Sequence, residues 1–111
     1  MNYKSRFSFN ERKKESELIM RKYPDKIPVI CTPINAPNIT KNKYLVSVDV
    51  NIMYLLFVIR QNMKASKDQG LFLIINNTIP SSSDRLISLY DMYKDPDGFL
   101  YINYTFESVF G

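Results

Sequence analysis

The 111-residue sequence contains no histidine and only one cysteine. Without histidine, the Ser-His-Asp and Cys-His pairs that activate nucleophiles cannot form, and a zinc site is disfavoured. The single Cys31 excludes an internal disulfide, and its apolar neighbours predict a buried structural thiol rather than a reactive one. We therefore expect no bound metal and no cofactor.

Glycine is scarce, and long apolar runs are absent. Gly70, Gly98 and Gly111 are the only glycines, so the sequence has no glycine-rich phosphate loop. The longest apolar-rich stretch, residues 44–59, is interrupted by polar residues and is shorter than the roughly 20 residues that a membrane span needs. The sequence also shows no secretory signal, which with the lone cysteine predicts a reducing compartment, the cytoplasm.

Basic residues outnumber acidic ones at one end of the chain only. The net charge of +4 belongs to residues 1–26, which hold eight Lys or Arg against four acidic residues, and the rest carries seven of each sign. This basic segment suits an acidic partner, an anionic membrane or nucleic acid, and an ordinary solvated helix face is the alternative. Nucleic acid is the least favoured partner because the remaining chain is neutral and its aromatic residues follow core periodicities.

The apolar periodicity predicts helices and strands in the order helix, two strands, helix, strand, helix, strand. A capping box from Ser8 to Glu11 starts a helix over 11–22, after a short helical turn at 4–7. We expect its inner face to hold Ser16, Ile19, Met20 and Tyr23. The other predicted elements are strands at 27–32, 43–48, 71–75 and 99–104, and helices at 50–63 and 84–93.

Three details of these elements are further expectations. Asp49 should cap the helix over 50–63, which is apolar on several sides and should be nearly enclosed. Residues 81–84 should cap the helix over 84–93, whose inner face repeats at i, i+3, i+4 and i+7. The run 71–75 is typical of a central strand, and the strands at 27–32 and 43–48 should pair antiparallel.

The element order predicts an α+β fold, the β-grasp or ubiquitin-like roll, with one or two extra amino-terminal helices, although other α+β folds share it. We expect residues 1–111 to form one domain, with a helical extension over 1–24, the β-grasp core over 25–104 and a flexible tail over 105–111.

The last residue of the sequence is Gly111, preceded by Phe110. Glycine has no Cβ, so its carbonyl is unhindered and suits a carboxylate that is activated and joined to an amine. A chance ending is the alternative, since glycine makes up about 7% of residues in proteins. The terminus therefore needs support from the rest of the chain.

Four segments, in order, resemble known signature sequences. Residues 23–30 (YPDKIPVI) resemble KYPDRVPVI, and 43–46 (KYLV) with Asp49 resemble KKYLVPSD. Residues 71–80 (LFLIINNTIP) are similar to LFFFVNNVIP. Residues 97–104 (DGFLYINY) followed by ESVFG resemble FLYIAYSDESVYG. These signatures belong to one family, so the chain resembles the autophagy ubiquitin-like modifiers that include GABARAP and the microtubule-associated light chains.

The resemblance implies a substrate and adaptor rather than an enzyme. It implies that Gly111 is activated by an ATP-using enzyme, passed through thioesters by conjugating enzymes, and joined to phosphatidylethanolamine. A cysteine protease of the family processes the precursor or removes the lipid. The lipid-linked protein then sits on the autophagosomal membrane and recruits cargo receptors, while the unlinked protein is cytoplasmic.

The resemblance also implies a groove for peptides that carry an aromatic residue, two intervening residues and an aliphatic residue. The peptide adds a strand beside 43–48, and two pockets take its side chains. Basic groups such as Lys41, Lys43 and Arg60 would attract acidic flanks of the peptide. Ordinary core packing is the alternative for the apolar members. The residues carried over are Glu15, Ile19, Pro28, Ile30, Lys43, Leu45 and Phe99 for the aromatic pocket, and Tyr44, Val46, Val50, Leu55 and Val58 for the aliphatic pocket.

The sequence departs from the family in the same region. Ser47 stands where the family has proline, and residues 52–54 replace a Val-Gly-Gln stretch. Gln61 and Asn62 stand where the family is basic, and the loop between the first two strands is shorter. These differences leave open a second function, a basic peptide-binding adaptor that is never conjugated to lipid.

Overall fold

The computed structural model describes residues 2–34, 41–63 and 70–106. It has the predicted element order and confirms the α+β β-grasp roll with two amino-terminal helices. The elements are α1 (Tyr3–Arg6), α2 (Phe9–Lys22), β1 (Lys26–Pro33), β2 (Lys43–Ser47), α3 (Ile52–Gln61), β3 (Phe72–Ile74), α4 (Leu86–Tyr93) and β4 (Leu100–Thr105).

The four strands form one mixed sheet in the order β2-β1-β4-β3. β1 pairs antiparallel with β2, as predicted, with Ile27 opposite Val46. β1 runs parallel to β4, with Val29 opposite Leu100, and β3 pairs antiparallel with β4. The prediction that β3 is central is therefore wrong. Its residues are apolar because helices cover the sheet, so even a short edge strand is buried.

Both faces of the sheet are covered. The main core lies between the sheet and the pair α3 and α4, and includes Val29 of β1 and Leu100 of β4. A smaller core on the opposite face joins Tyr3 of α1 to Ile30 and Phe99. Because β1 contributes alternate residues to each core, its sequence is a continuous apolar run rather than an alternating one.

Helix α2 has the predicted capping box, but it begins at Phe9, two residues earlier than predicted, and buries less than expected. The Ser8 Oγ accepts from the Glu11 amide at 3.1 Å, and the Glu11 carboxylate accepts from the Ser8 amide at 3.0 Å. Ser16 is 1% exposed, but Met20 and Tyr23 are about two-fifths exposed, contrary to the predicted inner face. The helix contacts the sheet through a narrow stripe, and Tyr23 lies beyond its end.

Helix α3 differs from its prediction at its start and in its burial. The side chain of Asn51, not Asp49, accepts a hydrogen bond from the Tyr54 amide at 3.0 Å and caps the helix. The expected near-enclosure is wrong, since Met53, Tyr54 and Phe57 are between 49% and 60% exposed. The reason is that α3 packs on one face of the sheet and buries only one stripe, formed by Ile52, Leu55 and Ile59.

Helix α4 starts at Leu86, two residues later than predicted. Arg85 is the residue before it and makes no side-chain capping bond. The Asp84 carboxylate instead accepts from the Ser81 amide at 3.0 Å, which closes a turn ahead of the helix. Of the predicted inner face, Leu86, Leu89 and Tyr90 are buried, and Tyr93 is half-buried against the main core.

Candidate functional site

Strand β2 forms one edge of the sheet, and in the described part of the chain only β1 pairs with it. Its side chains alternate between the two faces. Tyr44 and Val46 point into the main core, whereas Lys43 and Leu45 lie on the face that carries α1 and α2. The backbone groups along the outer edge are suited to pairing with an added strand.

Three side chains converge at the α2 side of β2. The Glu15 carboxylate accepts a hydrogen bond from the Tyr3 hydroxyl on one oxygen and from the Lys43 ammonium on the other. The Lys43 nitrogen also lies 5.1 Å from the centre of the Tyr3 ring, within cation–π range. Lys43 is 32% exposed and Glu15 is 39% exposed, so this charged pair faces solvent at the rim of the predicted aromatic pocket.

The contacts of this cluster shift the pKa values of Glu15 and Tyr3. Partial burial acts to raise the pKa of Glu15, but the hydrogen bonds from Lys43 and Tyr3 outweigh it, so the pKa lies below its ordinary value. The pKa of the Tyr3 hydroxyl is raised by burial and by its bond to the Glu15 carboxylate. At neutral pH Glu15 is therefore a carboxylate and Tyr3 a neutral phenol.

Beneath this rim, the other predicted members of the aromatic pocket form a closed floor. Ile30 and Phe99 are at most 1% exposed, and the Tyr3 ring packs edge-on against Phe99 at 5.3 Å. Pro28 is also buried. Ile19 is half-buried against the same cluster, and Leu45 is 38% exposed. The structure thus brings the predicted residues together as a polar rim over an apolar floor.

The predicted aliphatic pocket is packed shut. Tyr44, Val46 and Leu55 are at most 5% exposed and belong to the main core, while Val50 and Val58 pack at its border and are half-buried. Burial raises the pKa of Tyr44 to about 12, and its hydroxyl has no hydrogen-bond partner among the residues that the structure describes. Arg60, in the last turn of α3, is also half-buried.

The turn before β4 anchors the helices that carry this site. The buried Asp97 carboxylate accepts from Arg12 at 2.6 Å, from the Tyr101 hydroxyl and from the Phe99 amide at 2.9 Å. Lys4 of α1 pairs with Asp95 in the same turn. The bonds from Arg12 and Lys4 tie α2 and α1 to this turn and so help to determine where the Tyr3 and Glu15 side chains lie, whereas the Tyr101 bond joins only the turn and β4.

Tyr3 is the residue that sequence reasoning missed at this site. Its ring packs between Phe7 and Phe99, and its hydroxyl reaches Glu15. The signal in the sequence was the pair of aromatic residues, Tyr3 and Phe7, in an otherwise polar segment. A four-residue helix is too short for periodicity to identify, so only the tertiary structure places it.

Gly111 lies outside the described residues, so the structure does not test its predicted role. Thr105, the first residue of the predicted tail, is part of β4 and is 2% exposed. Phe106 packs against the main core. The ordered domain thus extends at least to Phe106, and the remaining part of the tail, residues 107–111, is not described.

The described ranges contain neither a cluster of possible metal ligands nor a helix that could span a membrane. Within 2–34, 41–63 and 70–106, no three acidic or cysteine side chains come together as a possible metal site. In the same ranges, no helix has both the length and the apolar content needed to cross a bilayer.

The mixed sheet with parallel central strands, the helix α3 across one face and the two helices on the other define a ubiquitin-like protein with a helical extension. A sequence profile of the family described as "Autophagy protein Atg8 ubiquitin like" matches residues 11–111. The chain therefore belongs to the Atg8 family, as the four signature segments predicted.

Relatives match along almost the whole chain. Autophagy-related protein 8 of Kluyveromyces lactis is 40% identical over 112 residues, covering 98% of this chain and 90% of that protein. Autophagy-related protein 8h of Arabidopsis thaliana is 40% identical over 113 residues, covering 99% and 95%. The crystal structure of Trypanosoma brucei ATG8 superposes with a TM-score of 0.90 at 31% identity, covering all of this chain and 98% of that one.

Proposed function

We propose that this autophagy ubiquitin-like protein is conjugated through Gly111 to phosphatidylethanolamine and then recruits receptors that carry an aromatic-x-x-aliphatic motif. The observation that carries the proposal is the family match over residues 11–111, which includes the segment resembling the family's conjugated end. The fold match along the full chain supports it.

The conjugation chemistry requires little from the protein itself. An ATP-using enzyme activates the glycine carboxylate, the acyl group passes through enzyme thioesters, and the lipid amine displaces the last thiol to form an amide. Glycine suits this route because no Cβ hinders attack on its carbonyl. The chain is then a substrate rather than a catalyst, and its partners are the activating and conjugating enzymes and a cysteine protease that processes or delipidates it.

The location of the protein follows from its lipid. The unconjugated form is cytoplasmic, and conjugation moves it to the autophagosomal membrane. A phosphatidylethanolamine anchor is the membrane-binding element in this proposal.

Receptor binding is proposed for the edge strand β2. A peptide paired with β2 would place its aromatic residue on the rim formed by Glu15, Lys43 and Ile19, above the floor formed by Ile30 and Phe99. Its aliphatic residue would lie near Val50 and Val58, which are the members of the second set at the border of the core. Because Tyr44, Val46 and Leu55 are packed beneath, this second pocket opens only if α3 shifts relative to β2.

Reconstitution tests the conjugation. The purified protein is incubated with ATP, the family's activating and conjugating enzymes, and vesicles that contain or lack phosphatidylethanolamine. A faster-migrating product on urea gels, formed only with the ethanolamine lipid and absent from Gly111→Ala, is expected. If the intact protein gives no product while a related Atg8 protein reacts in parallel, the proposed conjugation is wrong.

A second candidate function is a basic peptide-binding adaptor that is never lipidated. The concentration of positive charge in residues 1–26 favours it. Flotation of cell extracts separates the two, because a lipid-linked protein rises with membranes and an unconjugated adaptor stays in the soluble fraction.

A further inference from the structure

We propose that Tyr3 is a positioning residue of the peptide groove, whose hydroxyl keeps the Glu15 carboxylate hydrogen-bonded when a peptide ring covers it. This inference rests on the proposed function, since it concerns the same groove. It assigns a role in partner selection to helix α1.

The position of Tyr3 is fixed by packing. The side chain is 6% exposed, and its ring lies between Phe7, with ring centres 5.0 Å apart, and Phe99, at 5.3 Å. With the ring held in this way, the hydroxyl is directed at one oxygen of Glu15. Lys43 donates to the other oxygen, so each carboxylate oxygen has a donor from the protein.

A peptide ring bound at this rim would cover the exposed parts of Glu15 and Lys43 and exclude water from them. A carboxylate that loses water without gaining a donor is strongly unfavourable, whereas one that keeps its donors is not. Tyr3 and Lys43 supply donors that remain after water is excluded. An aromatic side chain without a donor of its own can therefore bind without leaving the Glu15 charge unpaired.

The consequence is a selectivity that depends on Tyr3. A phenylalanine side chain brings no donor, whereas the indole N–H of tryptophan is a donor. In Tyr3→Phe, a bound phenylalanine leaves one oxygen of Glu15 without a partner, but tryptophan replaces the lost hydroxyl. The variant should therefore weaken a phenylalanine peptide about tenfold and a tryptophan peptide less than about threefold.

Tyr101 provides a matched control. Its hydroxyl also donates to a carboxylate, that of Asp97, and its ring lies 6.5 Å from Phe99 on the same face of the sheet. Tyr101→Phe removes the same atom from the same kind of contact but leaves Glu15 and Lys43 untouched. A merely structural effect of losing a buried hydroxyl should appear in both variants.

The experiment measures the Kd of two peptides, identical except for phenylalanine or tryptophan at the aromatic position, for the wild type, Tyr3→Phe and Tyr101→Phe by fluorescence anisotropy. The pKa of the Glu15 carboxyl is followed in parallel by NMR. We expect the wild type to bind both peptides, and only Tyr3→Phe to shift their affinity ratio and to raise the Glu15 pKa.

The outcomes separate the two proposals. If the wild type binds neither peptide, the groove itself is wrong and the role of Tyr3 is lost with it. If the wild type binds both but Tyr3→Phe leaves their ratio or the Glu15 pKa unchanged, or Tyr101→Phe shifts the ratio equally, the groove stands and the role of Tyr3 is overturned. A wild type that binds only the tryptophan peptide also overturns it.

Discussion

Replacing Gly98 by alanine tests how helix α2 is held on the sheet. Gly98 has a φ of +93°, a conformation that L-residues rarely adopt. A Cβ at this position would lie 2.9 Å from the Ser16 Cβ and closer still to its hydroxyl. Ser16 is 1% exposed and donates a hydrogen bond to the Asp97 carbonyl oxygen, so it has little room to move.

The cost follows from two terms. The left-handed backbone disfavours a side chain by about 1–2 kcal/mol, and forcing an extra methyl into a packed site costs about 1–3 kcal/mol. Gly98→Ala should therefore destabilise the fold by about 2–5 kcal/mol. A chain of this length is expected to have a free energy of unfolding of about 6–17 kcal/mol, so the variant should fold but be clearly weakened.

Urea unfolding followed by far-UV circular dichroism measures this loss, and Ser16→Gly in the Gly98→Ala background is the matched test. Ser16→Gly alone costs about 1 kcal/mol or more, because glycine has a lower helix propensity than serine and the buried hydrogen bond to the Asp97 carbonyl oxygen is lost. In the double variant the steric term disappears, so the combined loss should be at least about 1 kcal/mol smaller than the sum of the single losses. Strictly additive losses, or a loss below about 1 kcal/mol for Gly98→Ala, would refute the close packing of the two residues.

Three further predictions concern the core, the thiol and the response to acid. Leu55→Ala, at a fully buried position in α3, should lower the free energy of unfolding by about 2–5 kcal/mol in the same assay; a loss below about 1 kcal/mol would contradict its placement. Cys31 is 1% exposed and burial raises its pKa to about 12, so Ellman's reagent should react with it only on unfolding; rapid labelling of the native protein would contradict this. Burial opposes ionisation of Glu15 and Asp95, but hydrogen bonds from Lys43 and Tyr3 to the first and from Lys4 to the second outweigh it, so both folded pKa values lie below their ordinary 4.5 and 3.8. The two ionised carboxylates stabilise the fold fully when the pH is above their ordinary pKa values. This stabilisation is lost as the pH falls through their lower pKa values in the folded protein. Urea midpoints should therefore drop below about pH 4.5, and Lys43→Met should reduce that drop; an equal drop in the variant would contradict the contact.

Much of the fold followed from local patterns. The capping box at Ser8 and the i, i+3, i+4 spacing of α4 are both set by interactions within a few residues, so sequence alone predicted them. The antiparallel pairing of β1 with β2 also followed, since the two strands are consecutive in the chain. The signature segments added the fold class and the family.

Other features depend on which surfaces meet. Both faces of the sheet are covered, so the three-residue edge strand β3 looks as apolar as a central one. Helix α3 has more apolar residues than one face of the sheet can bury. Its composition therefore predicted a nearly enclosed helix, whereas Met53 and Phe57 are exposed in the structure. The Tyr3–Glu15–Lys43 cluster joins residues from α1, α2 and β2, and no residue spacing in the sequence predicts these contacts.

The central claim, a ubiquitin-like protein joined to lipid through its final glycine, is tested most directly by intact-mass measurement of the membrane-bound protein isolated from cells. The account predicts a chain that ends at Gly111 and carries the mass of phosphatidylethanolamine less one water. A membrane pool whose mass shows no attached lipid, or a chain that continues past Gly111 in every molecule, would contradict it.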